Sequence, residues 1–233
     1  MRRMHPLRAL ALSAAALAAL IPAACPGQDS PGGVALQFLS FPKAVDPAPL
    51  ELLVGEGKTI EVEIPTNELS KAYRVPQLGA WVVGQTVDGP DGKPVFQEYG
   101  RARALTSPSQ LILLVRKGAG YSDGFDVLPV DNRVGRFDGG KFLFMNAAKV
   151  DIAGEVGGEK FVVPPGRHII VAPKAGPNGR TFHALFYFRG EDRAKPFFSS
   201  TWPLTRNARA LVFFYHDPAT KRLRLHTIRD FTE

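Results

Sequence analysis

Lys58–Ile64, KTIEVEI, alternates polar and apolar residues, the period of a half-buried strand. Short runs of similar β-prone character recur along the chain. They predict strands at Val34–Phe41, Lys58–Ile64, Ala80–Thr86, Leu111–Arg116, Phe125–Val130 and Lys141–Asn146. The series continues at Lys160–Val163, His168–Ala172, Phe182–Phe188, Ala210–Tyr215 and Arg222–Ile228. Turn signals separate them, among them Asp88-Gly89-Pro90-Asp91-Gly92, Asp138-Gly139-Gly140, Pro177-Asn178-Gly179 and Asp217-Pro218. One short helix is expected near Thr66–Ala72. Many short strands at roughly ten-residue spacing predict a sandwich or a barrel.

The pattern repeats. FLSF at 38–41 pairs with FLFM at 142–145, YRVPQLGAWVV at 73–83 with FVVPPGRHIIV at 161–171, and KPVF at 93–96 with KPFF at 195–198. LTSPSQLILLV at 105–115 then pairs with LTRNARALVFF at 204–214. The order is preserved, which reads as a duplication with copies the size of an immunoglobulin-like domain. The expected fold is all-β: two tandem immunoglobulin-like antiparallel β-sandwich domains, at 34–131 and 137–230. One larger sandwich is the alternative.

The start of the chain has a different character. Arg2, Arg3 and Arg8 precede an apolar run from Ala9 to Ile21, then small residues and the chain's single cysteine, Cys25. That is the layout of a secretory signal, expected over 1–25, with 26–33 as a tether. A helix over this run spans about 20 Å, short of a ~30 Å hydrocarbon core. The location expected is extracytoplasmic. Cys25 has two readings, lipidation as in bacterial lipoproteins or ordinary cleavage nearby. Either way no cysteine pair remains, so no disulfide and no thiolate metal site is expected.

Charge sharpens the picture of partners. The chain carries 29 Lys and Arg against 22 Asp and Glu. Without the three leader arginines, 26 basic groups face 22 acidic ones. Residues 25–136 hold 11 basic and 13 acidic groups, and residues 137–233 hold 15 and 9. The basicity belongs to the second half. In KRLRLHTIRD, Arg222, Arg224 and His226 alternate with Leu223, Leu225 and Thr227. A strand puts the three basic residues on one face and the leucines toward the core. They form the candidate anion-binding strip, and its expected partner is an anionic envelope component or a protein. Nucleic acid is not expected, because no nucleic-acid-binding motif is present.

No catalytic motif, metal cluster or cofactor signature stands out. Gly120-Tyr121-Ser122-Asp123-Gly124 matches G-x-S-x-G, but that elbow must open a helix, and the residues after it are β-prone. It reads as a hairpin tip. His168, His183, His216 and His226 share no ligand spacing, and Asp88, Asp91, Asp131 and Asp138 lie in turns.

The second half, from KFLFMNAAKVDIAGEVGGEKFVVPPGRHIIV to ALVFFYHDPATKRLRLHTIRD, resembles uncharacterised secreted bacterial tandem β-sandwich proteins. The shared elements are Phe-x-Asn, a Pro-Gly turn, and Arg-Ala-Leu-Val-Phe-Phe with an Asp-Pro hairpin. The resemblance implies fold and compartment and carries no activity. The function expected is therefore a non-catalytic extracytoplasmic binding or scaffolding protein. The alternative is an extracytoplasmic hydrolase with a loop-built site.

Overall fold

A computed structural model of the chain describes residues 33–42, 49–189 and 194–231. The leader, Cys25 and the tether up to residue 32 lie outside the described residues. Among those described there is no helix, and sixteen strands form four four-stranded sheets, none closed into a barrel.

The first eight strands are β1 (Val34–Phe41), β2 (Leu50–Gly55), β3 (Lys58–Val62), β4 (Tyr73–Val75), β5 (Ala80–Asp88), β6 (Pro94–Arg103), β7 (Ser109–Arg116) and β8 (Phe125–Asp131). They form an outer sheet β3-β2-β5-β6 and an inner sheet β4-β1-β7-β8. The second eight are β9 (Phe142–Asn146), β10 (Ile152–Val156), β11 (Glu159–Val163), β12 (His168–Val171), β13 (Thr181–Arg189), β14 (Ala194–Pro203), β15 (Ala208–His216) and β16 (Leu223–Phe231). Their sheets, β11-β10-β13-β14 and β12-β9-β15-β16, repeat the same order eight strands later.

Three of the four repeated segments fall on equivalent strands. The pair 73–83 and 161–171 does not, because β4 corresponds to β12 and not to β11. Residue faces also correct one register. Leu111 and Leu113 share a core with Leu211 and Phe213, an offset of 100, whereas the sequence match sets Leu111 against Ala210. A one-residue slip turns every side chain to the opposite face.

The sheets are not wholly antiparallel, as the sequence pattern suggested. β1 runs parallel to β7, with Gln37 opposite Leu111, and β9 runs parallel to β15, with Leu143 opposite Leu211. A parallel pair needs a long connection, and here the intervening strands supply it.

Three cores set the layers. The first lies between the first outer and inner sheets, around Leu36, Phe38, Leu52, Trp81, Ile112 and Leu114. The third lies between the second pair, around Phe144, Ile152, Phe186, Val212 and Phe214. The middle core joins the two inner sheets face to face through Leu39, Leu111, Leu113, Leu143, Met145 and Phe213. β7 and β15 are therefore buried on both faces, which suits their unbroken apolar runs LILLV and ALVFF.

Thr66–Ala72 is irregular and not helical. Its polar groups bond to β1 instead of to a helical turn of their own. The Ser70 N–H donates to Phe38 O at 3.0 Å, and Ser70 Oγ accepts from the Phe38 N–H at 2.9 Å. β2, β4, β6, β10 and β14 are not among the strands expected from the sequence. β6 and β14 are edge strands containing proline and many polar residues, a composition that strand patterns penalise and edges tolerate.

Candidate functional site

The sequence-derived basic strip lies at the β15–β16 hairpin. Asp217 builds the turn, accepting from the Ala219 and Thr220 N–H groups at 2.9 and 3.1 Å. Those bonds hold its carboxyl below its ordinary pKa. Leu223 and Leu225 pack against the third core. Arg224 and His226 take the opposite face of β16. Arg224 Nε lies 3.4 Å from Asp217 Oδ2, and both partners contact water, so this pair contributes little to stability. The His226 ring stacks on Phe41 of the first half at 5.7 Å. Arg222 lies in the turn just before β16.

Arg222 and Arg224 border a cleft of about 360 Å³, completed by Phe197, Phe198, Leu223 and Leu225. Its walls are β14 and β16, one edge strand from each sheet of the second half. His226 stands apart from it, against Phe41. The cleft's aromatic wall was missed in the sequence, where KPFF served only as a repeat marker. Phe197 meets the rings of Phe186, Phe188 and Phe214, and Phe198 meets those of Phe186 and Trp202.

The equivalent seam of the first half is shut. β6 and β8 close on each other there, while β14 and β16 do not. The register shows why. Val83 faces Gly100 across a bulge at Tyr99, and Phe186 faces Phe198 across a bulge at Phe197. Phe198 thus occupies the position of Gly100. A Cβ on Gly100 would lie 2.7 Å from Val127 Cγ2 and 2.9 Å from Phe125 O, so the closed seam has no room for a side chain. In the second half, Leu223 and Leu225 replace Phe125 and Val127. Phe125 and Val127 are only 2% and 8% exposed, whereas Leu223 and Leu225 are half-buried. The first seam does carry a surface depression of about 540 Å³. Charged residues paired as Glu98–Arg101 and Lys117–Asp126 line it together with Tyr99, Gly100, Phe125, Val127 and Leu128.

A second basic group sits between the halves. Arg133, Arg136 and His168 line one hollow with Asp131, and Arg136, Lys141 and His168 line its neighbour. The Arg133 fork grips Asp131 at 2.6 Å and holds that carboxyl well below the usual range. Lys141 pairs with Asp138 at 2.9 Å. Burial lowers the His168 imidazole from its ordinary pKa, and the charges of Arg136 and Arg167 push the same way.

Ser122 is exposed at the tip of the β7–β8 hairpin, where the Gly120 N–H donates to Asp123 Oδ2 at 2.9 Å. β8 follows at once, and the elbow of a serine hydrolase requires a helix there. His183 Nε2 lies 3.2 Å from Ser199 Oγ on an exposed strand face. No three His, Cys, Asp or Glu side chains converge on a metal-sized site among the described residues. The chain matches no protein family and no curated protein.

Proposed function

We propose that this chain is a non-catalytic binding or scaffolding protein that works outside the cytoplasm, built from two tandem immunoglobulin-like sandwiches. The leader supports the compartment, and the recurring sheet order supports the tandem copies. The observation that carries binding is the pair Arg222 and Arg224 along the β14–β16 cleft, with Asp217 the one carboxylate paired there among the described residues. Two arginines bordering a cleft along the edge of β16 attract an anionic envelope component, and more strongly at low salt. The middle core makes the two halves one stack, which suits a scaffold.

The test is co-sedimentation of the purified protein with anionic and with zwitterionic vesicles. Salt-sensitive binding to the anionic vesicles, lost in Arg222→Ala/Arg224→Ala, is the expected result. Equal binding to both lipids, or an unaffected variant, refutes the reading. The intact mass of the protein from its own cell decides Cys25. Diacylglycerol there makes a membrane-tethered module, and an unmodified start beyond Ala23 makes a diffusible one.

A further inference from the structure

Resting on that reading, we infer that the seam between β14 and β16 binds a single-chain anionic amphiphile, its carboxylate or phosphate on Arg222 and Arg224 and its apolar chain against Phe197, Phe198, Leu223 and Leu225.

The fold supplies its own control. The same two edge strands meet in each half, and a glycine lets the first pair shut over its core. Phe198 replaces that glycine and keeps the second pair apart. The result is an apolar floor that reaches the aromatic core through Phe186, Phe214 and Trp202. Half-buried leucines and phenylalanines left along an edge seam gain free energy when an apolar chain covers them, by about 25 cal/mol per Å² of surface removed from water. A purely apolar ligand would leave the basic rim unused. Lys221 and Arg222 sit in the turn and Arg224 on the strand, while Asp217 pairs only with Arg224 among them. A ligand with one anionic end and one apolar end matches both parts. A volume of about 360 Å³ falls in the small-molecule range of about 300–1,000 Å³. The depression at the first seam differs in charge: its cations Arg101 and Lys117 already face Glu98 and Asp126, so it does not select an anionic end.

The two tryptophans make the test specific. Trp202 is 5.7 Å from Phe198, and Trp81 is buried in the first core with its Nε1–H donating to Gln110 Oε1 at 2.8 Å. The purified protein is titrated with 11-bromoundecanoate below its micelle concentration, because bromine quenches only a nearby indole. The expected result is saturable quenching of the Trp202 share of emission, with Trp81 emission kept. Undecanoate reverses it, and acetate and inorganic phosphate do not. Arg222→Ala/Arg224→Ala and Leu225→Arg each weaken binding about tenfold, the cost of losing charge-assisted hydrogen bonds or the apolar floor. If quenching is absent, or acetate and phosphate compete as well as undecanoate, the cleft holds no chain and the inference is overturned. Salt-sensitive binding to anionic vesicles would in that case still uphold the proposed function. Failure of every anion, vesicles included, overturns both. The wild-type comparison of tailed and tailless anions decides the matter even if a variant fails to fold.

Discussion

Arg209 of β15 reaches across the middle core to Asn132, donating Nη1–H to Asn132 Oδ1 at 2.6 Å. The same guanidinium donates Nε–H to Asp230 at 2.7 Å and Nη1–H to Phe137 O at 2.7 Å, and it lies over the Phe137 ring. Asn132 continues the chain of bonds to Gln37 on β1 at 3.0 Å. The two halves are thus joined by a directional polar clasp beside an apolar face.

Breaking that clasp should be costly, because the Arg209 side chain is only 8% exposed. Arg209→Ala leaves Asp230, Asn132 and Phe137 O without their partner and should destabilise the protein by about 3 kcal/mol. Arg209→Lys should recover little, since an ammonium cannot reproduce the fork. Urea unfolding of both variants checks this, and a loss below about 1 kcal/mol for the alanine variant would refute it.

Gly100 should tolerate no side chain. Gly100→Ala places a Cβ against Val127 and the Phe125 carbonyl, and should cost about 1–3 kcal/mol as the seam is pushed open. Phe198→Ala removes a half-buried ring at the equivalent place. Its cavity is already open to solvent, so the loss should sit at the low end of the ~3–5 kcal/mol seen for fully buried phenylalanines. Thermal unfolding of the two variants separates the effects.

Ser40 is fully buried on β1, and its Oγ has no hydrogen-bond partner among the described residues. Ser40→Ala removes an unpaired hydroxyl and should be neutral or stabilising by up to about 1 kcal/mol. A melting temperature that falls by several degrees would mean the hydroxyl has a role after all.

His168 should give stability a pH dependence. Its pKa is lowered in the folded protein from the ordinary 6.5, so the unfolded chain binds the proton more readily. Stability is then complete above about 6.5 and is lost as pH falls below it through the folded value. Asp131, also lowered, acts in a separate window. Its contribution is present above its ordinary 3.8 and is lost as pH falls below that. Urea midpoints measured between pH 7.5 and 5 should decline in the wild type and flatten in His168→Gln.

Much of the fold was legible because strands announce themselves through period and turns. KTIEVEI became β3, and the basic and leucine alternation of residues 222–226 correctly turned Leu223 and Leu225 toward the core. The edge strands β6 and β14 were not legible, since an edge tolerates the Pro and polar residues that pattern reading counts against a strand. The expected helix at 66–72 was lost to tertiary hydrogen bonds with β1.

What the sequence by itself determined is the all-β class, most strand positions and the basic hairpin, because each depends on residues near one another in the chain. What only the tertiary structure decided depends on residues some hundred positions apart. The runs LILLV and ALVFF each mark a strand, but the partner for their second face is the other half's inner sheet. His226 was placed on the strip, but Phe41 is what it stacks against. The contrast between Gly100 and Phe198 appears only once register sets them in equivalent places. Side-chain volume there decides whether a seam shuts or stays open, and no local pattern encodes the strand that it must meet.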